Sequence, residues 1–231
     1  MTGQKTLRTS IIIPVFNEAQ ALGHCLDRLP RGPEIELLLV DGGSTDTTLA
    51  QIRARGLEPL RSPLGRGSQL RAGAAVARGD VFLFLHCDTC LPPGFIDQIS
   101  RVLGQDRVVA GAFRLRLDAP GAAYRMIELG ANLRSRLLGL PYGDQALFMT
   151  KEHYAAAGGF PEQPIMEDLA LVRQLRRHGR VALAPVAVTS SARRWQQYGL
   201  LRVTMINQFM LLGYTAGCSP EKLAAWYYRR C

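Results

Sequence analysis

Three clusters of polar residues able to do chemistry sit at the ends of apolar runs. Asn17-Glu18 follows Ser10–Phe16, Asp41 follows Ile35–Val40, and His86-Cys87-Asp88 closes the run that begins at Val81. A carboxylate at the end of a buried strand is costly unless it is solvated, paired or bound to a metal ion, so the recurrence points to a shared site. In an open parallel sheet such a site lies beyond the carboxyl ends of the strands, where strand order reverses. The competing reading is local, with Asp41 or Ser44 capping a helix that starts near Thr47. Cys87 and Cys90 have CxxC spacing, but without a second pair they give little support to a zinc or redox centre. His24, His153 and His178 form no usable spacing.

Those positions demand strands and helices in alternation. Ser10–Phe16 is a β-branched run, and Glu18–Leu29 carries Ala21, Leu22, Cys25, Leu26 and Leu29 at helical spacing. Ile35–Val40 predicts a second buried strand, followed by a turn at 41–46 and a helix over Thr47–Arg55. A short strand near Leu57–Arg61, a glycine-punctuated helix over Gly67–Arg78 and a strand over Val81–His86 follow. The pattern predicts an α/β fold with a mostly parallel central sheet covered by helices on both faces.

The second half is less regular. Val108–Leu117 reads as a strand whose alternating latter part implies a solvated face or a sheet edge. Helices are expected over Ala122–Leu138, from Lys151, and over Glu167–His178, where Gly179 stops the last; Val181–Val188 is extended. The stretch Tyr198–Arg230 is largely helical, and its Leu201, Met205, Phe209 and Leu212 have the spacing of a face packed on a core. Flanked by Trp226, Tyr227, Tyr228, Arg229 and Arg230, the same stripe also suits peripheral contact with a membrane.

The 231 residues are 47% hydrophobic and 20% charged, which excludes a disordered chain and a multispanning membrane protein and is met most economically by one domain. A net charge of +9, carried almost wholly by arginine, suits anionic partners: nucleic acid, phosphorylated substrates or an anionic membrane. The arginines are spread along the chain and no nucleic-acid-binding signature is present, so nucleic acid is not expected as a partner. Five cysteines are few for a disulfide scaffold, and no apolar run reaches the ~18 residues of a spanning helix or the core of a signal peptide. The expected location is the cytoplasm, with peripheral attachment to the inner face of the membrane as an extension.

Together, Ile11-Ile-Ile-Pro-Val-Phe-Asn-Glu18, Val40-Asp-Gly-Gly-Ser-Thr-Asp46, Gly79-Asp80 leading into Leu83-Phe-Leu-His-Cys-Asp-Thr89, and Met166-Glu-Asp-Leu169 resemble the successive signatures of family 2 inverting glycosyltransferases with a GT-A (Rossmann-like) fold. The resemblance covers roughly residues 9 to 195 and is greatest to the short branch called radical-SAM/selenodomain-associated transferase 2. It implies a nucleotide-binding half over 9–117, an acceptor and catalytic half over 118–195, and C-terminal helices over 196–231. Pro14, Asn17 and Glu18 would line the nucleotide pocket, with Asp41 near base and ribose. Asp88 would hold a divalent cation, Mg²⁺ or Mn²⁺, against the diphosphate of a nucleoside diphosphate sugar, a UDP-sugar foremost. Asp168, preceded by Glu167, would be the general base in a single inverting displacement onto an unidentified acceptor, a lipid-linked one among the options.

The chain departs from the family pattern in three places. Gly42 follows Asp41 where a second acidic residue is common. His86 stands where the first Asp of the Asp-x-Asp motif would be; imidazole could meet the ribose or a metal, although carboxylate suits Mg²⁺ better. Ser191-Ala-Arg-Arg-Trp195 resembles the Gln-x-x-Arg-Trp motif with Ser191 replacing Gln, so that Arg194 would meet the diphosphate and Trp195 the acceptor, unless the segment is a basic surface turn. In Gly65-Arg-Gly-Ser-Gln69 the resemblance brings Arg66 and Gln69 to donor phosphates, and in Gly143-Asp-Gln145 it brings Asp144 and Gln145 to the donor sugar or acceptor; plain turns are the alternative. Rival functions are a nucleotidylyltransferase, which would want a basic glycine-rich loop after the first strand, and a noncatalytic protein that binds a nucleotide sugar, lipid or anion and has no need of Asp168.

Overall fold

The computed structural model describes residues 7–229. Its first half alternates as the apolar pattern requires: β1 (Thr9–Val15), α1 (Ala19–Leu26), β2 (Ile35–Asp41), α2 (Thr48–Ala54), β3 (Leu60–Arg61), α3 (Arg66–Val76) and β4 (Val81–Phe84). There follow β5 (Thr89–Cys90), α4 (Phe95–Leu103), β6 (Val108–Leu117), α5 (Ala122–Leu138), a 3₁₀ turn at Gly143–Gln145, β7 (Phe148–Thr150) and α6 (Lys151–Ala156). The chain continues through α7 (Glu167–His178), β8 (Arg180–Ser190), α8 (Arg193–Tyr198), α9 (Leu200–Thr215) and α10 (Pro220–Tyr228).

One eight-stranded sheet has the order β3-β2-β1-β4-β7-β6-β8-β5. Strands β1 to β4 pair in parallel, and β6 pairs in parallel with β8; the short β7 and β5 are antiparallel insertions. Strand order reverses at β1, which lies between β2 and β4, so the crevice beyond its carboxyl end is the expected ligand site.

Both faces of β1 are buried. Ile11, Ile13 and Val15 join Leu22, Leu26, Ile52, Phe95 and Ile99 from α1, α2 and α4, while Ile12 points to Leu70 and Ala74 of α3, beyond which Leu171 and Leu175 of α7 extend the same core. Helix α3 rides so close to the sheet that a Cβ on Gly73 would stand 2.5 Å from Ile12 Cγ2. That contact explains the glycine-punctuated sequence of this helix.

Two expectations change. Strand β6 is internal, between β7 and β8, so it is not a sheet edge; its alternation reflects the exposed Arg114 and Arg116 on one face. The stripe Leu201, Met205, Phe209 and Leu212 is not core: these residues are between 47% and 80% exposed, whereas Val203, Ile206 and Met210 face inward. Helix α5 presents a second apolar face, with Met126, Leu129, Leu133, Leu137 and Leu138 all exposed. No helix among the described residues is long and apolar enough to cross a membrane. Arg230, at the end of the expected helical stretch, lies outside the described residues.

Candidate active site

The loops after β1 and β2 are tied together by Asn17. Its Oδ1 accepts from the backbone N–H groups of Thr45 (2.8 Å) and Asp46 (3.3 Å), and its own N–H donates to Ser44 Oγ. Holding this clasp puts Asn17 at φ 53°, a left-handed backbone that asparagine tolerates better than most residues. Pro14 sits within β1 opposite Val40. Asp41, only 2% exposed, accepts from Gly43 N and Ser44 N in a local turn, and neither it nor Ser44 caps α2, whose N-cap Thr47 has no side-chain cap bond. It also borders a cleft of about 200 Å³ shared with Ser44, Arg61 and Ser62.

Gln69 and Gln145 are corrected from ligand contacts to internal braces. Gln69 Nε2 donates at 2.8 Å to both Val15 O and Val40 O, clamping the ends of β1 and β2. Gln145 is fully buried; it donates to Phe113 O and accepts from Ser135 Oγ and Tyr142 N, which fixes the 3₁₀ turn.

Around the crevice, carboxylates from three elements converge. Asp88, just past β4, has its carboxyl raised by burial, opposed by the charges of Arg193 and Arg66. Glu18 lies 3.5 Å from Arg193 and is likewise raised by burial, with Asp88 adding to the effect. Glu167 and Asp168 open α7, whose N-terminal dipole favours negative charge; Met166 before them adopts φ 65°. Glu167 is pushed up to about 6 by burial and by the charge of Asp168, with Arg66 (Nε to Oε1 3.9 Å) in opposition.

Asp168 is held at both oxygens: Oδ2 accepts from Gly143 N at 2.7 Å and Oδ1 from Leu169 N at 2.7 Å. A Cβ on Gly143 would stand 2.8 Å from His86 Nε2 and 3.3 Å from Asp168 Oδ2, so the glycine lets three elements meet. Asp144 beside it is pushed up to about 6 by burial, opposed by Arg134 and reinforced by Asp168 and Asp88. Burial, with Arg66 nearby, holds His86 well below its usual range, so its imidazole is neutral at pH 7.

Arg193, not singled out in the sequence, stands at the crevice 3.5 Å from Glu18, while Arg194 lies at 5.0 Å over the ring of Tyr227, which itself lines the cleft with Arg66, Glu167 and Asp168. The two are adjacent at the start of α8. Arg134, stacked 3.6 Å over Tyr142, was also missed, because nothing in the pattern of α5 marks it. The CxxC spacing yields no reactive thiol: a hydrogen bond with the free thiol of Cys25 together with burial pushes Cys87 up, and burial pushes Cys90 up.

Among the described residues no group of three His, Cys, Asp or Glu side chains is placed to hold a metal ion. Asp88 offers one half-buried carboxylate, which does not make a protein cage. It fits a hard cation that takes its other oxygens from water and a phosphorylated ligand.

Residues 10–158 match the sequence profile of the family described as Glycosyl transferase family 2. A curated relative, undecaprenyl-phosphate 4-deoxy-4-formamido-L-arabinose transferase of Sodalis glossinidius (strain morsitans), is 32% identical over 62% of this chain and 48% of its own length. The chain spans about half the length of the curated relatives it matches. Among solved structures, the mannosyltransferase PcManGT from Pyrobaculum calidifontis, in complex with GDP-Man and Mn²⁺, superposes with TM-score 0.67 at 20% identity, over 93% of this chain and 66% of that one. Glucosyl-3-phosphoglycerate synthase from Mycobacterium tuberculosis, with Mn²⁺ and UDP-Glc, gives 0.59 at 19% identity over 88% and 78%. These likenesses bear out the expected α/β, GT-A-like architecture.

Proposed function

The chain belongs to glycosyl transferase family 2, and on that premise we propose that it moves a sugar, with inversion, from a nucleoside diphosphate donor to a lipid-linked acceptor. The observation that carries this reading is the convergence of Asp88, Asp144 and Glu167-Asp168 with Arg66 and Arg193 beyond the strand-order reversal. The donor's base and ribose would enter between the loops clasped by Asn17, near Asp41. Its diphosphate would lie toward Arg66, Arg193 and Asp88.

Asp168 would take the proton from the attacking acceptor hydroxyl. As the new bond to the anomeric carbon forms, the bond from that carbon to the diphosphate oxygen breaks, and the electron pair leaves with the nucleoside diphosphate. Arg66, paired to Glu167, supports both the leaving charge and the carboxylate beside the base. Asp88, together with the donor's phosphates, would hold Mg²⁺ or Mn²⁺, which when bound stabilises the negative leaving group.

A lipid-linked acceptor is supported by the name of the curated relative and by the exposed apolar faces of α5 and α9, flanked by arginines. On this reading the protein works in the cytoplasm, against the inner face of the membrane. UDP-sugars lead among donors and GDP-sugars follow, since the superposed structures carry UDP-Glc and GDP-Man. Within the family the chain would stand in the radical-SAM/selenodomain-associated transferase 2 branch.

The test is a calorimetric or thermal-shift screen of UDP, GDP, dTDP and CMP, each with and without Mn²⁺, on the wild type and Asp88→Ala. Stabilisation by one diphosphate that depends on Mn²⁺ and on Asp88 is expected. A folded protein that responds to none of them contradicts the reading.

A further inference from the structure

A cavity of about 370 Å³ lies between α5, α8 and α9, walled on its apolar side by Leu115, Met126, Ile127 and Leu201. The space falls within the range of small-molecule sites, and it opens between the two exposed apolar helix faces. It shares Tyr142 and Asn207 with the smaller cleft that contains Asp168 and Glu167, so its inner end adjoins the proposed base.

The polar atoms of this cavity are exceptional within the protein. Arg134 Nη2, Asp144 Oδ1, Trp195 Nε1 and Thr204 Oγ1 are the side-chain atoms that are buried without a hydrogen-bond partner among the described residues, and all four residues line this one cavity. Buried polar groups are normally paired, so four orphans in one place indicate a missing partner. Their chemistry constrains it. Arg134 Nη2 and Trp195 Nε1 can only donate, a carboxylate Oδ1 of Asp144 can only accept, and Thr204 Oγ1 can do either. An ionised phosphate could answer the two donors but would leave Asp144 unpaired and face its charge. Hydroxyl groups can answer all four.

Resting on the reading given above, we infer that this cavity is the acceptor subsite and that it takes an amphiphile with a hydroxyl-bearing head, of the glycolipid kind, rather than a bare lipid phosphate. The apolar chain leaves along Met126 and Leu201 toward the membrane. The head sits on Arg134, Asp144, Trp195 and Thr204, with a hydroxyl directed past Tyr142 toward Asp168. This requires a nucleophile that carries a proton, which is the situation in which a general base is useful.

The experiment compares n-decyl β-glucoside with n-decyl phosphate, two probes with the same chain, titrated below their micelle concentrations by calorimetry. Gly130 lines the cavity and an added Cβ there meets nothing within 4 Å, so Gly130→Phe plugs the space at little cost to the helix. Thr204→Val removes one hydroxyl at constant shape and keeps the test decisive if the plug disturbs folding. The inference expects the glucoside to bind at least about tenfold tighter than the phosphate, to weaken at least tenfold in Gly130→Phe and to weaken several-fold in Thr204→Val. Equal or tighter binding of the phosphate, absence of glucoside binding, or binding unchanged in both variants overturns it. The nucleotide screen on the same preparation separates the two failures. Nucleotide binding without glucoside binding defeats this inference alone, and glucoside binding without any nucleotide response defeats the transferase reading, and with it the acceptor role, while leaving the cavity a glycolipid site.

Discussion

The backbone N–H of Gly143 donates to Asp168 Oδ2 at 2.7 Å, joining the turn that carries Asp144 to the first turn of α7. This bond orients the proposed base from outside its own helix. It works only because residue 143 has no side chain, since His86 approaches from just past β4 on the same side.

Gly143→Ala should therefore damage chemistry more than stability. The methyl group would push on His86 Nε2 and Asp168 Oδ2, and a displacement near 1 Å at a reacting group costs roughly 100-fold in rate. Transfer should fall by about that factor while nucleotide affinity stays within a few-fold. Turnover at the wild-type level would show that the Gly143 to Asp168 contact is incidental.

Gln69→Ala should act on the frame. Its amide holds both Val15 O and Val40 O, and Gly42 N can still serve Val15 O once it is gone. The β1–β2 ladder, with Val15 opposite Asp41, still serves the Val40 carbonyl, so the loss of the two side-chain bonds should cost about 1 to 2 kcal/mol in urea unfolding, without a change in slope. A stability equal to wild type would return Gln69 to the list of ligand contacts.

The alternation of β1 to β4 with α1 to α3 was legible because β1, β2 and β4 are built on near-continuous apolar runs and helical stretches lie between them. Strands β5 and β7, of two and three residues, are too short for any period to register, and they exist because longer neighbours offer them an edge. The clustering of Asn17, Glu18, Asp41 and Asp88 followed from strand ends. The inward turn of Gln69 and Gln145, and the approach of Arg193 to Glu18, depend on side-chain direction, which residue type and spacing do not encode. The stripe on α9 was legible as an apolar face, but core packing and membrane contact both stayed open, because such a face looks the same in sequence whether protein or lipid covers it.

Asp144 should make stability depend on pH. Its carboxyl is raised to about 6 in the folded protein, chiefly by burial, so the fold favours the protonated form. The contribution is complete below the unfolded value near 3.9 and is lost as pH rises through 6, with a ceiling of about 3 kcal/mol. Asp144→Asn does not titrate, so its stability relative to wild type should improve between pH 4 and pH 7. Urea melts at both pH values measure this, and a constant difference would mean that Asp144 is solvated.

The apolar faces should matter at a lipid surface. Leu201 and Met205 are 80% and 70% exposed, and Leu201→Glu with Met205→Glu places two negative charges where lipid contact is expected. Co-sedimentation with anionic vesicles should drop several-fold while the melting temperature holds. Equal sedimentation would locate any membrane contact elsewhere.

The account stands most directly on Asp168. The decisive measurement follows labelled sugar passing from nucleoside diphosphate donors into organic-extractable acceptors in a bacterial lipid extract, with wild type and Asp168→Asn compared at donor concentrations that saturate both in calorimetry. The account predicts transfer by the wild type and a loss of at least about 100-fold in the variant, with donor affinity retained. Transfer by Asp168→Asn at the wild-type rate would contradict it.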